Sequence, residues 1–287
     1  MTNRWVLGAR PKTLPAAVVP VALGTAAVGD LDAVVWWRAA AALVVALALQ
    51  LATNYVNDYA DGERGTDDDR VGPVRLVGSG LATAREVKLA ALASFAVAGV
   101  AGGALAFAVG PELLAVGVAS MVAGWAYTGG PRPYGYLGLG EVFVFVFFGL
   151  VATVGSTYVH TESITGVSVA ASVLAGCLAV ALLVINNLRD IPGDTMAGKQ
   201  TLAVRLGDER TRAFYGVLFV ISAAVVVGLA IDRPFSALGL IGLALAVPPI
   251  KVVMGGARAE ALIPVLGQTG RVQLVTGLLV ALGLALS

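Results

Sequence analysis

The chain has 287 residues, 58% of them hydrophobic and 13% charged, with a formal net charge of +1. A soluble domain is about 25% charged, so this balance excludes a disordered chain, a coiled coil and a nucleic-acid binder, and it argues against an ordinary soluble enzyme. The single cysteine, Cys177, and single histidine, His160, exclude a disulfide framework and Cys/His-rich metal centres and speak against a Ser-His-Asp triad.

In chain order, nine stretches of at least 16 residues carry no Asp, Glu, Lys, Arg or His: 13–29, 39–57, 89–111, 113–131, 142–159, 163–188, 213–231, 234–250 and 272–287. A membrane-crossing helix needs about 20 mostly apolar residues. The pattern therefore predicts an all-α polytopic membrane protein, one domain over 1–287, with nine transmembrane helices. The first and last stretches are short, and Lys12 and Arg271 extend them by snorkelling. Of the 19 Lys and Arg, 17 lie in the N-terminus and the loops after even-numbered stretches; only Arg38 and Arg233 lie on the other side. This bias predicts a cytoplasmic N-terminus and an outside Ser287. His160 falls at an outer loop and reads as exposed, and Cys177 reads as a small packing residue.

Two inner loops are long and hold most of the charge. The first runs Asn54-Tyr-Val-Asn57-Asp58-Tyr-Ala-Asp61 and on through Asp67-Asp68-Asp69-Arg70 to Arg75. The second runs Asn186-Asn187-Leu-Arg189-Asp190-Ile-Pro-Gly-Asp194 to Gly198-Lys199-Gln-Thr201. Spacings of three and four place side chains on one helical face, so Asn54, Asp58 and Asp61 form one stripe and Asn187, Asp190 and Asp194 another. Clustered carboxylates repel unless a cation joins them, and oxygen-only donors favour Mg²⁺ or Ca²⁺. Two stripes with few carboxylates suit two Mg²⁺ ions holding a diphosphate. Arg70, Arg75, Arg132, Arg189, Lys199 and Arg205 stand near to take the remaining phosphate charge.

With these motifs the sequence resembles the UbiA superfamily of intramembrane aromatic prenyltransferases, and within it the members that prenylate 1,4-dihydroxy-2-naphthoate. The resemblance is carried by Ala9-Arg10-Pro11-Lys12-Thr13, by Asn57-Asp58-Tyr-Ala-Asp61 with Gly65-Thr66-Asp67, by Tyr127-Thr-Gly-Gly-Pro-Arg132-Pro133 with Leu139-Gly140-Glu141, and above all by Asn186-Asn187-Leu-Arg189-Asp190 through Gly198-Lys199-Gln-Thr-Leu-Ala-Val-Arg-Leu-Gly207. It implies helices around a central cavity capped by cytoplasmic loops, a lateral opening to the lipid bilayer, and residence in a prokaryotic plasma membrane. It implies transfer of a polyprenyl group from polyprenyl diphosphate to 1,4-dihydroxy-2-naphthoate, with loss of CO₂, to give demethylmenaquinone.

In that reading Mg²⁺ is held by Asn54, Asp58, Asp61, Asp67, Asp190 and Asp194. Arg75, Arg132, Lys199 and Asn187 contact the diphosphate, and Tyr127 stabilises the allylic cation. Arg10 or Lys12 is expected to meet the acceptor carboxylate. Phe143, Phe145, Phe147 and Phe148 either wall a prenyl tunnel or face lipid. Rival expectations keep the chemistry with another acceptor (4-hydroxybenzoate, haem, chlorin or homogentisate) or make the chain a cation-coupled transporter. A transporter would want inverted repeats and helices broken at mid-membrane, whereas here the acids fall at the cytoplasmic ends and nine spans do not divide into equal halves.

Overall fold

A computed structural model of the protein describes residues 3–65 and 74–287, and among these the regular structure is entirely helical. The helices are α1 (Arg4–Ala9), α2 (Pro15–Ala26), α3 (Trp36–Glu63), α4 (Ala84–Ala108), α5 (Glu112–Ala126), α6 (Gly140–Thr161), α7 (Gly166–Met196), α8 (Leu202–Asp232), α9 (Pro234–Ala244), α10 (Val247–Met254) and α11 (Ala259–Leu286). Short 3₁₀ turns, including Pro11–Thr13 and Tyr134–Leu137, join some of them.

Local chemistry sets the boundaries. Capping boxes open α4 (Thr83 with Glu86) and α7 (Thr165 with Ser168), each satisfying two otherwise orphaned N–H groups. Pro15 occupies the first turn of α2, where its missing N–H costs nothing. Pro248 and Pro249 cannot donate to the carbonyls of the preceding turn, and the chain bends by 44° between α9 and α10. Within α6, Phe145–Val151 forms a π-helical segment, a widened turn that often marks functional sites.

Among the described residues six helices, α3, α4, α6, α7, α8 and α11, are long and apolar enough to cross a membrane, and the bent α9–α10 pair, taken as one span, makes a seventh. The nine expected crossings exceed that number because the first and fourth stretches fold into apolar helices of only 12 and 15 residues, α2 and α5. Helix α7 is the central element: 78% of its apolar window is buried inside the protein, against 22% for α4 and 33% for α8. Its leucines, valines and Cys177 form the core with side chains of α2, α8 and α11. Close crossings need residues without side chains. A Cβ on Gly149 of α6 would stand 2.6 Å from the Gly176 Cα of α7.

The loops gather at two ends. At one, Arg4 reaches Leu81 and Glu86, Asn54 holds Ala9, and Arg64 binds the carbonyls of Thr128 and Gly130. At the other, Arg38 binds the carbonyls of Val159 and Ala108, Tyr158 reaches Glu112, and Phe235 meets Ser287. His160 belongs to this second end, but it is only partly accessible: its Nδ1 accepts the Val35 N–H at 3.2 Å. The expected exposed loop residue is thus part of a helix junction.

Candidate active site

At the first end the C-terminal turns of α3 and α7 face one another across a cavity of about 490 Å³. Helix α3 contributes Asn54, Asn57 and Asp61 to its wall, and α7 contributes Asn186, Asn187, Asp190 and Asp194. One hollow therefore receives Asn54 and Asp61 of the first expected stripe and Asn187, Asp190 and Asp194 of the second.

Each acid is held by a base of the same chain. Asp61 is 3% exposed, accepts from Lys199 Nζ at 3.2 Å and from the Tyr136 hydroxyl, and lies 3.6 Å from Arg75 Nη2. Asp194 lies 4.0 Å from Lys199 Nζ, so one lysine links acids from both helices. Asp190 takes two bonds from neighbouring Arg189, at 2.7 and 2.8 Å, and Arg189 also donates to Asn186 Oδ1 at 2.8 Å. Buried charges are tolerated when paired in this way. Lys199 owes its place to Gly198, whose φ of +70° ends α7 in the left-handed conformation that glycine adopts without strain. The turn closes with the Lys199 N–H on the Asp194 carbonyl at 2.8 Å. Burial, reinforced by the Asp61 charge, pushes the Tyr136 phenol well above its usual range, so it remains a donor to Asp61.

Other expected site residues take different places. Asp58 is fully buried and does not line the cavity. Its two oxygens accept the N–H groups of Leu76 and Val77, at 2.8 and 3.0 Å. It thereby anchors the segment that carries Arg75 to the cavity, where Gly62 leaves room for the Val77 side chain. Asn54 does line the cavity, but its amide is occupied, donating to the Ala9 carbonyl and Thr13 Oγ1 and accepting from Gln50. Arg132 is exposed and away from the wall. Asp67 and Arg70 lie outside the described residues. Lining residues that the reading of site roles passed over are Asn186, Tyr136, Thr128 and Asn57, the last accepting from Thr128 Oγ1 at 2.6 Å. The spacing of Asn57 to Asp61, one helical turn, was the available signal for it.

A second, apolar cavity of about 190 Å³ adjoins the first, between α2, α3, α4, α5 and α6. Tyr127, Phe148, Val144, Ala16 and Thr53 line both. Phe143 and Phe147 also face the apolar cavity. The Phe143 ring lies 3.9 Å from that of Tyr134 and 6.0 Å from that of Phe147, and Tyr134 meets the Tyr127 ring edge-on at 5.5 Å. Phe145 points elsewhere, against Gly176 of α7.

The side chains of the polar wall that can ligate a metal, Asp61, Asp190, Asp194 and the asparagines, offer oxygen to it. No three acids, histidines or cysteines converge on one point among the described residues. That set fits a small hard ion that takes one or two carboxylates and completes its shell with water and phosphate oxygen, as Mg²⁺ does.

Comparison with known proteins supports the same reading of the fold. Residues 17–258 match the model of the UbiA prenyltransferase family. The chain is 50% identical to a 1,4-dihydroxy-2-naphthoate octaprenyltransferase of Mycobacterium tuberculosis, over 98% of this chain and 97% of that protein. It is 37% identical to the Escherichia coli protein of the same name, over 100% and 96%. Among solved structures, a UbiA homolog from Archaeoglobus fulgidus bound to GPP and Mg²⁺ superimposes with a TM-score of 0.68 at 16% identity, over 97% of this chain and 99% of that one.

Proposed function

Since this chain belongs to the UbiA prenyltransferase family, we propose that it transfers a polyprenyl group from polyprenyl diphosphate to 1,4-dihydroxy-2-naphthoate, releasing pyrophosphate and CO₂ and giving demethylmenaquinone. The observation that carries this reading is the position of Tyr127, on the shared wall of an acid-lined and an apolar cavity. A prenyl diphosphate has the same two parts, a charged head and an apolar tail, and its reactive C1 lies where they meet.

The difficult event is separation of charge as the allylic C1–O bond breaks. Asp61, Asp190 and Asp194, with Asn57, Asn187 and Asp67, are the proposed holders of Mg²⁺, which when bound supplies Lewis-acid stabilisation of the leaving pyrophosphate. Lys199 and Arg75 stand beside those acids; with the acids taken by metal, they turn their charge to phosphate oxygens. Asp58 acts one step back, by fixing the Arg75 segment. The Tyr127 ring stabilises the positive charge developing at C1, and the aromatic wall keeps water from it. Arg10 and Lys12, which also line the cavity, are the proposed partners of the acceptor carboxylate.

Helix α2 lies between Thr13, bonded to Asn54, and Gly29, beside Arg233, and α5 between Glu112, bonded to Tyr158, and Thr128, bonded to Arg64. These contacts support the proposal that both also cross, giving nine crossings with the polar cavity and the N-terminus on the cytoplasmic side of a bacterial plasma membrane. The test is to incubate membranes holding the protein with labelled polyprenyl diphosphate, Mg²⁺ and either dihydroxynaphthoate or 4-hydroxybenzoate. Prenylated naphthoquinol and released CO₂ are expected. Transfer to hydroxybenzoate alone would overturn the acceptor assignment, and transfer to neither would overturn the function.

A further inference from the structure

Glu141, at the start of α6, is 5% exposed and lies behind the polar cavity without lining it. Its Oε1 accepts a hydrogen bond from Asn187 Nδ2 at 2.9 Å. Its Oε2 is buried and has no hydrogen-bond partner among the described residues. A carboxylate buried with one oxygen unmet is costly, and it touches no wall where substrate would lie. The cavity residue to which it is hydrogen-bonded is Asn187. A side-chain amide has two unlike ends, an NH₂ that only donates and an oxygen that only accepts, and either end of Asn187 is sterically equivalent toward the cavity. A carboxylate partner removes that ambiguity: it takes the NH₂ and leaves the oxygen. Among the described residues, Asn187 makes no other side-chain hydrogen bond.

We propose that Glu141 is a positioning residue that turns the amide of Asn187 so that its carbonyl oxygen, and not its NH₂, faces the cation–diphosphate site. This rests on the function proposed above for the cavity. It predicts reciprocal behaviour of two substitutions. Glu141→Leu frees the amide to present its NH₂, which repels a cation. Asn187→Asp sets a second carboxylate against Glu141 at hydrogen-bond distance, with no proton donor between them. Together the two changes remove both faults, because a carboxylate at position 187 offers oxygen whichever way it turns.

The measurement is Mg²⁺ binding by calorimetry to the full-length protein in detergent, with an unreactive prenyl thiolodiphosphate present. Each single variant is expected to bind Mg²⁺ about tenfold more weakly than wild type, and the double variant within about threefold of it. A double variant no better than Asn187→Asp alone would overturn the role of Glu141, and this comparison decides the matter even where Glu141→Leu alone does not fold. If wild type itself binds no Mg²⁺ with the diphosphate analogue present, the reading of the cavity falls, and this inference with it.

Discussion

Asp58 and Asp61 are three residues apart on one helix, and their surroundings give them different work. Asp61 faces the cavity with Lys199 and Arg75 beside it; both oxygens of Asp58 are on backbone N–H groups. Asp61→Asn should lower turnover about a hundredfold, the loss typical when one charge-stabilising group is removed, measured as prenyl transfer in membranes holding equal amounts of protein. Asp58→Asn should weaken a charge-assisted anchor by about 1.5–3 kcal/mol, read as faster tryptic cleavage after Arg75. At Tyr127 the ring, not the hydroxyl, carries the proposed role. Tyr127→Phe should keep turnover within about threefold, while Tyr127→Leu should lose about thirtyfold, the equivalent of roughly 2 kcal/mol of cation–π attraction in a dry site. Spacing alone did not separate Asp58 from Asn57. At about 100° per residue, the sets 54–57–61 and 54–58–61 both read as one helical stripe. Only the packing of the 74–80 segment against α3 decides which flank is wall and which is anchor.

At the level of elements, charge placement in the sequence located the apolar segments, because a charge in hydrocarbon is expensive and interrupts each stretch, but it ran α9 and α10 together as one stretch, 234–250, although the chain bends by 44° between them. It overstated the length of two. Pro11, Pro15 and Gly29 bound α2, and Pro111, Gly129 and Gly130 bound α5, so each helix closes sooner than its charge-free run. The π-helical segment of α6 has no such signature. It nevertheless separates Phe143, Phe147 and Phe148, which face the apolar cavity, from Phe145, which packs on α7. The α6–α7 crossing that permits this is close enough for a test. Gly149→Ala would set its methyl 2.6 Å from the Gly176 Cα and 2.9 Å from the Ser172 carbonyl oxygen. Facing backbone yields poorly, so a loss of about 1–3 kcal/mol is expected, seen as a lower aggregation temperature.

For the molecule as a whole, the expectation that the termini lie on opposite sides of the membrane is open to a direct test. Cys177 is 3% exposed, so the native chain gives a low background for thiol labelling. An impermeant maleimide added to intact cells should label Ser287→Cys directly and Ala197→Cys only after permeabilisation; the reverse pattern would invert the proposed orientation. The acids of the polar cavity already have resident bases: Lys199 and Arg75 at Asp61, Arg189 at Asp190. Domains built around a structural ion come apart when it is stripped, whereas here the lysine and arginines occupy the acids in advance. Chelation should silence turnover and leave the melting temperature where it was. A cell starved of magnesium would then hold a dormant but intact reserve of the protein, ready to resume as soon as the ion returns.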